Sequence, residues 1–336
     1  MAFMALILLG GWINSDVTFY LQQAENFLKK MPAGLQEHQR EAIEEAMAGE
    51  PALLRVVREG RNAKPTFSPR IKVTDVTPSL RLYQPKSAKT EKLPLLVYLH
   101  GGGWTIGSMN SCARYCSELA ATGKVMVLAV DYRLAPENPY PCGLNDCVTA
   151  VEYAYAHAQE WGSSAQLVSV GGDSSGGNLA LATALRLQHE KKQAPHSLVL
   201  YYPVVAAWND GTPSWKDNAK GKALDGALMN AFNKAYLEGV NHSNVADARK
   251  NPFISPVVAS DEALKQLPRT LMVCAERDIL LDQGEAFAKR LKEVDSDVQR
   301  KVLPGSVHLF VTVPGQEKAF KEAVRCAECF LTGKKI

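Results

Sequence analysis

The sequence lacks a surplus of either charge: 38 lysines and arginines stand against 35 acidic residues, for a net charge of +3. A chain so balanced gives no sign of a polybasic surface for nucleic acid or anionic lipid. It also lacks an apolar run of the ~20 residues that a membrane-spanning helix needs. The apolar stretch at residues 1–11 is too short to span a bilayer. We therefore predict neither a nucleic-acid partner nor a membrane span.

Residues 1–11 also bear on localisation. They are either a trimmed secretion signal or a first helix that packs on the body of the protein, and their lack of a basic n-region favours the helix. The seven cysteines are odd in number and scattered, which suits a reducing compartment better than a disulfide framework. We predict a cytoplasmic protein, with secretion left open by the apolar N-terminus.

The only CxxC motif is Cys326-Ala-Glu-Cys329, in a C-terminal helical pattern. No second pair completes the four ligands of a structural zinc site. We interpret these cysteines as structural, and we predict neither a metal nor a cofactor.

The apolar runs predict the fold class. With 336 residues, 46% of them hydrophobic, the chain can bury a full core. Strands are predicted at residues 71–83 (a pair at a sheet edge), 93–99, 125–130, 167–170, 198–202, 271–274 and 298–303. Most are continuously apolar and alternate with helical patterns, which is typical of parallel strands buried on both faces. We predict an α/β fold with a doubly wound, mostly parallel sheet that binds ligands at the carboxyl ends of its strands.

Two stretches depart from this alternation. Helical patterns at residues 16–31 and 35–59 precede the first strand, and about 65 residues without a strand separate Tyr202 from Arg269. We predict that residues 1–60 and 205–256 form a helical cap over a catalytic domain of residues 61–204 and 257–336. The alternative for the second stretch is a long surface excursion.

The segment Gly172-Asp173-Ser174-Ser175-Gly176 lies between a predicted strand and a predicted helix. A Gly-x-Ser-x-Gly motif in that context predicts a nucleophile elbow, a turn so tight that the residues two before and two after the serine must nearly lack side chains. Ser174 meets that condition. Ser175 does not, because Asp173 stands two residues before it.

A glycine run predicts the second part of the site. His100-Gly101-Gly102-Gly103 follows a strand, where glycines free backbone N–H groups and let the main chain approach a ligand. We predict an oxyanion hole formed by Gly102 and Gly103, with the Ser175 N–H contributing. His100 is expected to hold the loop by hydrogen bonding to the backbone.

A serine nucleophile needs a base and an acid that orients it. His308 is the histidine that follows the last predicted strand. Among the acids after the preceding strand we choose Asp278, with Asp282 as second choice; Glu276 is expected to point along the strand. The resulting order of serine, aspartate and histidine is that of the α/β-hydrolase fold.

With these motifs in place, residues 92–310 resemble the hormone-sensitive-lipase-like carboxylesterases of the α/β-hydrolase fold. The resemblance adds the motif Asp131-Tyr132-Arg133-Leu134-Ala135-Pro136-Glu137, whose charged residues we expect to pair with one another. Three positions depart from the family pattern: Ser175 where alanine is usual, Ile279 where proline is frequent, and Leu309 where glycine commonly follows the histidine. Leu309 is expected to narrow the pocket beside His308. The resemblance implies cofactor-free ester hydrolysis by Ser174, Asp278 and His308 under a helical cap.

The expected substrate is a small-molecule ester with a short- to medium-chain acyl group. Aromatic residues of the predicted cap suggest a small apolar acyl pocket: Trp104, Trp208, Trp215, Phe232 and Tyr236. A deacetylase, lactonase or amidase on the same triad stays open, as does a non-catalytic small-molecule receptor, which the intact triad disfavours. Nothing in the sequence decides the oligomeric state, a homodimer included.

Overall fold

The structure is a computed structural model that describes residues 15–87, 92–240 and 247–336. Residues 1–11, with the predictions made for them, lie outside the described residues. Eight strands form one sheet: β1 (Ile71–Thr77), β2 (Leu80–Pro85), β3 (Leu95–Leu99), β4 (Met126–Val130), β5 (Val168–Asp173), β6 (Leu198–Tyr201), β7 (Thr270–Arg277) and β8 (Val298–Val307). The described α-helices are α1 (Ser15–Lys30), α2 (Leu35–Met47), α3 (Ala52–Arg61), α4 (Ala113–Ala121), α5 (Cys142–His157), α6 (Ser175–His189), α7 (Pro213–Asp217), α8 (Gly226–Glu238), α9 (Asp261–Lys265), α10 (Leu281–Glu293) and α11 (Glu317–Leu331).

The sheet order is β1-β2-β4-β3-β5-β6-β7-β8. Strands β1, β2 and β4 pair antiparallel at one edge, and the remaining pairs are parallel. The predicted α/β fold class is confirmed. Strand β3 lies between β4 and β5, so the chain proceeds to opposite sides of the sheet from this point. The carboxyl ends of the parallel strands β3, β5, β7 and β8 lie at one edge of the sheet, where a ligand site is expected.

Helices cover both faces of the sheet. On one face, α5, α6 and α10 share a core cluster with α2, α3 and α8, whereas α4 and α11 pack in a second cluster on the other face. The inner strands β3 and β4 are buried at every residue. Burial on both faces explains why these strands read as continuous apolar runs rather than alternating ones.

The stretch predicted as one helix from residue 35 to 59 is two helices, so that prediction was wrong. Helix α2 ends at Met47, Gly49 takes a φ of 94°, and Pro51 precedes the first residue of α3. Proline has no N–H to continue the ladder of α2, but it fits readily at the start of a new helix.

The helices before the sheet pack, together with α8, over the edge where the parallel strands have their carboxyl ends. In α2, Gln36 donates from Nε2 to the Lys222 carbonyl (2.8 Å) and accepts from the Asp225 N–H (2.5 Å), just before α8 begins. Ile43 of α2 and Phe232 of α8 lie in the same core cluster. The domain boundaries proposed from the sequence stay a prediction, and these contacts agree with a cap built from both stretches. None of the described helices is long and apolar enough to cross a bilayer.

Arg58 of α3 ties this helical layer to the sheet. Its guanidinium donates to the carbonyls of Thr105 (2.9 Å) and Ala135 (2.8 Å) and forms a two-bond ion pair with Glu137 (2.8 Å each). The two carbonyls belong to buried residues, where an acceptor that loses its donor is costly. Arg58 therefore joins α3 to both loops that follow β3 and β4.

Replacing this arginine should destabilise the protein. We expect Arg58→Gln to lower the free energy of unfolding by about 1–3 kcal/mol, because it leaves buried carbonyls unpaired. The control is Arg55→Gln on the exposed face of the same helix, for which we expect a change within about 0.5 kcal/mol. Urea unfolding of both variants measures the difference. Equal unfolding midpoints for the two variants would contradict a stabilising role of Arg58.

Candidate active site

Ser174 stands at the turn from β5 into α6. It has a φ of 54° and a ψ of −119°, outside the regions that L-residues favour. The turn is held on both sides, because the Ser174 N–H donates to the Tyr201 carbonyl (2.9 Å) and its carbonyl accepts from Asn178 (3.1 Å) and Val204 (3.2 Å). The side chain therefore projects at the carboxyl end of the sheet.

The flanking glycines are required by contact rather than by flexibility. A Cβ on Gly176 would lie 2.0 Å from the Leu99 carbonyl oxygen, and a Cβ on Gly172 would lie 2.5 Å from the carbonyl carbon of Gly176. Neither position has room for a side chain. These contacts are the steric reason why Ser174, rather than Ser175, can stand at the turn.

Three of the predicted side chains meet. His308 Nε2 lies 3.0 Å from Ser174 Oγ, and His308 Nδ1 lies 2.5 Å from Asp278 Oδ2. All three residues are buried. The second oxygen of Asp278 accepts from the Leu280 N–H (3.1 Å), which fixes the carboxylate plane. A hydroxyl, an imidazole and a carboxylate in this sequence form a chain along which a proton can leave the serine.

The two competing carboxylates are engaged elsewhere, and the competing serine is enclosed in a helix. Asp282, the second choice, accepts from the Ser214 N–H at the start of α7 (2.7 Å), and Glu276 accepts from the Gly305 N–H (2.6 Å). The Ser175 side chain is buried in α6 and has no hydrogen-bond partner among the described residues. The structure therefore does not bring these side chains to His308.

The glycine loop after β3 lies beside Ser174. The Gly102 carbonyl accepts from Thr105 (3.1 Å) and Ile106 (2.8 Å), and Thr105 Oγ1 donates to the Gly103 carbonyl (2.8 Å). Within the described chain, the N–H groups of Gly102, Gly103 and Ser175 have no acceptor. Gly102, Gly103 and Ser174 line one cavity, so donors without an acceptor border the serine.

Asp173 anchors that loop to the elbow, a role that the sequence reasoning missed. It is 1% exposed and accepts hydrogen bonds from Tyr98 Oη (2.9 Å), the Gly101 N–H (3.0 Å) and Thr312 Oγ1 (2.9 Å). One carboxylate thus joins β3, the glycine loop and the segment after His308. The signal was present: a charged residue at the end of an apolar strand must have partners.

Gln316 performs a similar function behind His308 and was also missed. It donates to the carbonyls of Val307 and His308 (3.2 Å each) and accepts from the Val307 N–H (2.9 Å). These bonds fix the backbone that carries the imidazole. Its position eight residues beyond His308 gives no sequence signal for this contact.

His100 supports the loop as expected, with Nδ1 2.9 Å from the Gly101 carbonyl oxygen and its ring stacked on Tyr132. Burial lowers the pKa of His100, against the opposing effects of that hydrogen bond and of Asp131 and Asp173. The ring is therefore neutral at neutral pH, and Nδ1 carries the proton that it donates to Gly101.

The expectation that the charged residues of the segment 131–137 pair with one another was wrong. Arg133 pairs with Asp146 of α5 (2.8 Å) and Glu137 with Arg58 of α3, while Asp131 accepts from the Met109 N–H (3.2 Å). Burial would raise the pKa of Glu137, but the hydrogen bond and charge of Arg58 outweigh it and hold that pKa below its usual value. The segment thus braces neighbouring elements rather than itself.

Comparison with known proteins agrees with this geometry. A family model described as the α/β-hydrolase fold matches residues 96–312. The chain belongs to the hormone-sensitive-lipase-like family of α/β-hydrolases. It is 36% identical over 234 residues to the ethyl acetate hydrolase of Pseudomonas putida, covering 69% of this chain and 71% of that protein.

Two further relatives illustrate the similarity. The carboxylesterase NlhH of Mycobacterium tuberculosis is 32% identical over 241 residues, which cover 71% of this chain and 72% of that one. The crystal structure of a thermostable esterase from Pseudomonas putida ECU1011 superposes with a TM-score of 0.80 at 27% identity, over 93% of this chain and 96% of that chain.

The cavity at Ser174 is small and mainly aliphatic. The space open to the centres of water molecules is about 40 Å³, room for roughly three waters. Its walls beyond the catalytic residues include Ile106, Leu224, Leu228, Met229 and Phe232. Of the five aromatic residues suggested from the sequence, only Phe232 lines it. Trp104 instead stacks on Tyr236 with ring centroids 4.5 Å apart.

Leu309, the departure from the family glycine, also lines this cavity. Its φ is 71°, in the left-handed region that glycine adopts freely and that costs other residues about 1–2 kcal/mol. The structure thus supplies a reason for the usual glycine, because this turn after His308 needs a positive φ.

The positive φ of Leu309 predicts that glycine is more stabilising than alanine at this position, the reverse of their usual order. Leu309→Ala and Leu309→Gly both remove the side-chain contacts beyond Cβ, but only alanine keeps the left-handed penalty. We expect the glycine variant to be more stable than the alanine variant by about 1 kcal/mol. Thermal or urea unfolding of the two variants checks this, and a more stable alanine variant would contradict the strained turn.

Proposed function

We propose that this protein is a serine carboxylesterase that hydrolyses short- to medium-chain acyl esters through an acyl-enzyme. The observation that carries the proposal is the buried contact series from Ser174 Oγ through His308 to Asp278. The ester hydrolases among its relatives support the same reaction. The proposed site needs no metal or cofactor.

The first half-reaction forms the acyl-enzyme. His308 Nε2 takes the proton of Ser174 as Oγ attacks the ester carbonyl, and Asp278 holds the imidazole with Nδ1 protonated and stabilises its positive charge. The carbonyl oxygen becomes an oxyanion that accepts from the N–H groups of Gly102, Gly103 and Ser175. One such donor contributes about 3–4 kcal/mol of transition-state stabilisation. His308 then returns the proton to the departing alkoxide, and the alcohol leaves.

The second half-reaction repeats these steps with water. His308 takes a proton from water as its oxygen attacks the acyl carbonyl, and the same donors stabilise the second oxyanion. Collapse of this intermediate returns the proton to Ser174 and releases the carboxylic acid. The enzyme is then in its starting state.

The size of the cavity favours small groups beside the nucleophile. Space of about 40 Å³ for water centres accommodates an acetyl or propionyl group without rearrangement. A long acyl chain must either displace Met229 or Phe232 or extend out of the cavity. We therefore place the preference of the enzyme towards the short end of the proposed range.

A 4-nitrophenyl ester series from acetyl to long-chain acyl tests this function. We expect the highest kcat/KM on acetyl to butyryl esters. Ser174→Ala and His308→Ala should each lower kcat by about 10⁶, because a triad acts as a unit. Ser175→Ala is the matched control, since Ser175 would contribute its backbone N–H rather than its hydroxyl, and it should keep its esterase activity.

A folded Ser174→Ala protein that retained the wild-type rate would contradict the nucleophile assignment. If folded wild-type protein had no activity on any ester, the esterase proposal would fail. The alternatives would then be a deacetylase, lactonase or amidase that uses the same residues, or small-molecule binding alone. Circular dichroism of each variant establishes that it is folded.

A further inference from the structure

A second depression adjoins the cavity at Ser174. It is a groove between α1, α2, α3 and the segment after His308, with about 540 Å³ open to water centres. Five residues line both spaces: Met31, Leu35, Gln39, Arg61 and Leu309. The rest of the groove is mainly apolar, with Phe27, Val56, Val57 and Val313 among its walls. A substrate with its ester at Ser174 and a larger remainder in the groove would pass these five residues.

Arg61 is the charged residue at this junction. It ends α3 and is partly buried, and its guanidinium forms no hydrogen bond or ion pair with any described residue. Arg58, three residues earlier, has four hydrogen bonds. Burial lowers the pKa of Arg61, opposed by the charge of Asp173, but an arginine stays protonated at neutral pH. A partly buried guanidinium without a protein partner can pair with an anionic group that a ligand brings to the junction.

No acidic side chain lines the two spaces that Arg61 borders. Neither the cavity nor the groove is lined by an aspartate or glutamate, whereas Lys30 and His38 lie at the groove. An anionic ligand group in this space therefore meets the guanidinium of Arg61 with no carboxylate in the surrounding walls.

Gln39 provides a second polar group at the same place. It is 5% exposed, yet its side chain makes no hydrogen bond to the described residues. One turn earlier in α2, Gln36 is fully engaged with the segment before α8. An amide N–H₂ and a guanidinium that border one space can donate together to the two oxygens of a carboxylate.

We propose that the enzyme prefers esters that carry a carboxylate near the ester bond, which Arg61 and Gln39 bind. The proposal rests on the carboxylesterase function and defines its substrate class: a small acyl group at Ser174, a carboxylate at the junction and an apolar remainder in the groove. One guanidinium and one amide match a carboxylate in charge and in donor geometry, whereas a phosphate dianion would leave one negative charge uncompensated.

A matched pair of substrates tests the preference. 3-Acetoxybenzoate and 3-acetoxybenzamide share the acetyl group and the ring and differ in the charge of one substituent. We expect wild-type kcat/KM to favour the benzoate by about 10-fold or more, since a hydrogen-bonded charge contributes about 1.5–3 kcal/mol. In Arg61→Gln this ratio should fall to about 1, and in Arg61→Lys it should lie between the two.

Arg55→Gln controls for loss of positive charge on the same helix. Arg55 is exposed and lines neither space, so the wild-type ratio should persist. A ratio unchanged by Arg61→Gln would overturn the proposal, as would a wild-type preference for the benzamide.

A binding measurement separates this proposal from the proposed function. Titration calorimetry of 3-hydroxybenzoate into the Ser174→Ala protein should show binding that Arg61→Gln weakens by about 10-fold or more, with 3-hydroxybenzamide binding less tightly. Equal binding of acid and amide would overturn the carboxylate site even if the wild-type protein hydrolyses esters. Failure on all esters, 4-nitrophenyl acetate included, would contradict the esterase function alone.

Discussion

The close approach of α6 to the end of β3 is the constraint on which the site depends. With only 2.0 Å between a Cβ on Gly176 and the Leu99 carbonyl oxygen, the helix can begin there only if that position has no side chain. The helix start then forces Ser174 to a positive φ, a strain of about 1–3 kcal/mol that persists because hydrogen bonds from both sides determine the turn. His308 and the glycine loop are positioned relative to this fixed serine.

Two charged residues, the buried Asp173 and the partly buried Arg58, then connect the parts around the elbow. Asp173 bonds to three separate elements, and Arg58 joins α3 to both loops at the sheet edge. Because each of these ions is matched by several partners, it stabilises one arrangement of the loops and disfavours others. Arg61 is an arginine on the same helix as Arg58, but its guanidinium has no protein partner among the described residues. This difference suggests that Arg61 binds the ligand.

Local motifs explain how much could be predicted from the sequence. The elbow and the strand-end positions of His308 and Asp278 are set by residues close in the chain, so their spacing predicted side chains that meet in the structure. Apolar runs likewise predicted the sheet. The partner of Glu137 could not be found that way, because Arg58 lies 79 residues away. The walls of the pocket depend on how α8 packs on α2, and the strain at Leu309 is a backbone property that no side-chain pattern reports.

Covalent labelling tests most directly whether Ser174 is the nucleophile that His308 activates. The folded protein would be treated with an alkyl fluorophosphonate and the modified peptide located by mass spectrometry. The account predicts one adduct, on Ser174, with esterase activity lost in proportion and with labelling at least about 10³-fold slower in His308→Ala. An adduct on Ser175, or full labelling of Ser174 without loss of activity, would contradict it.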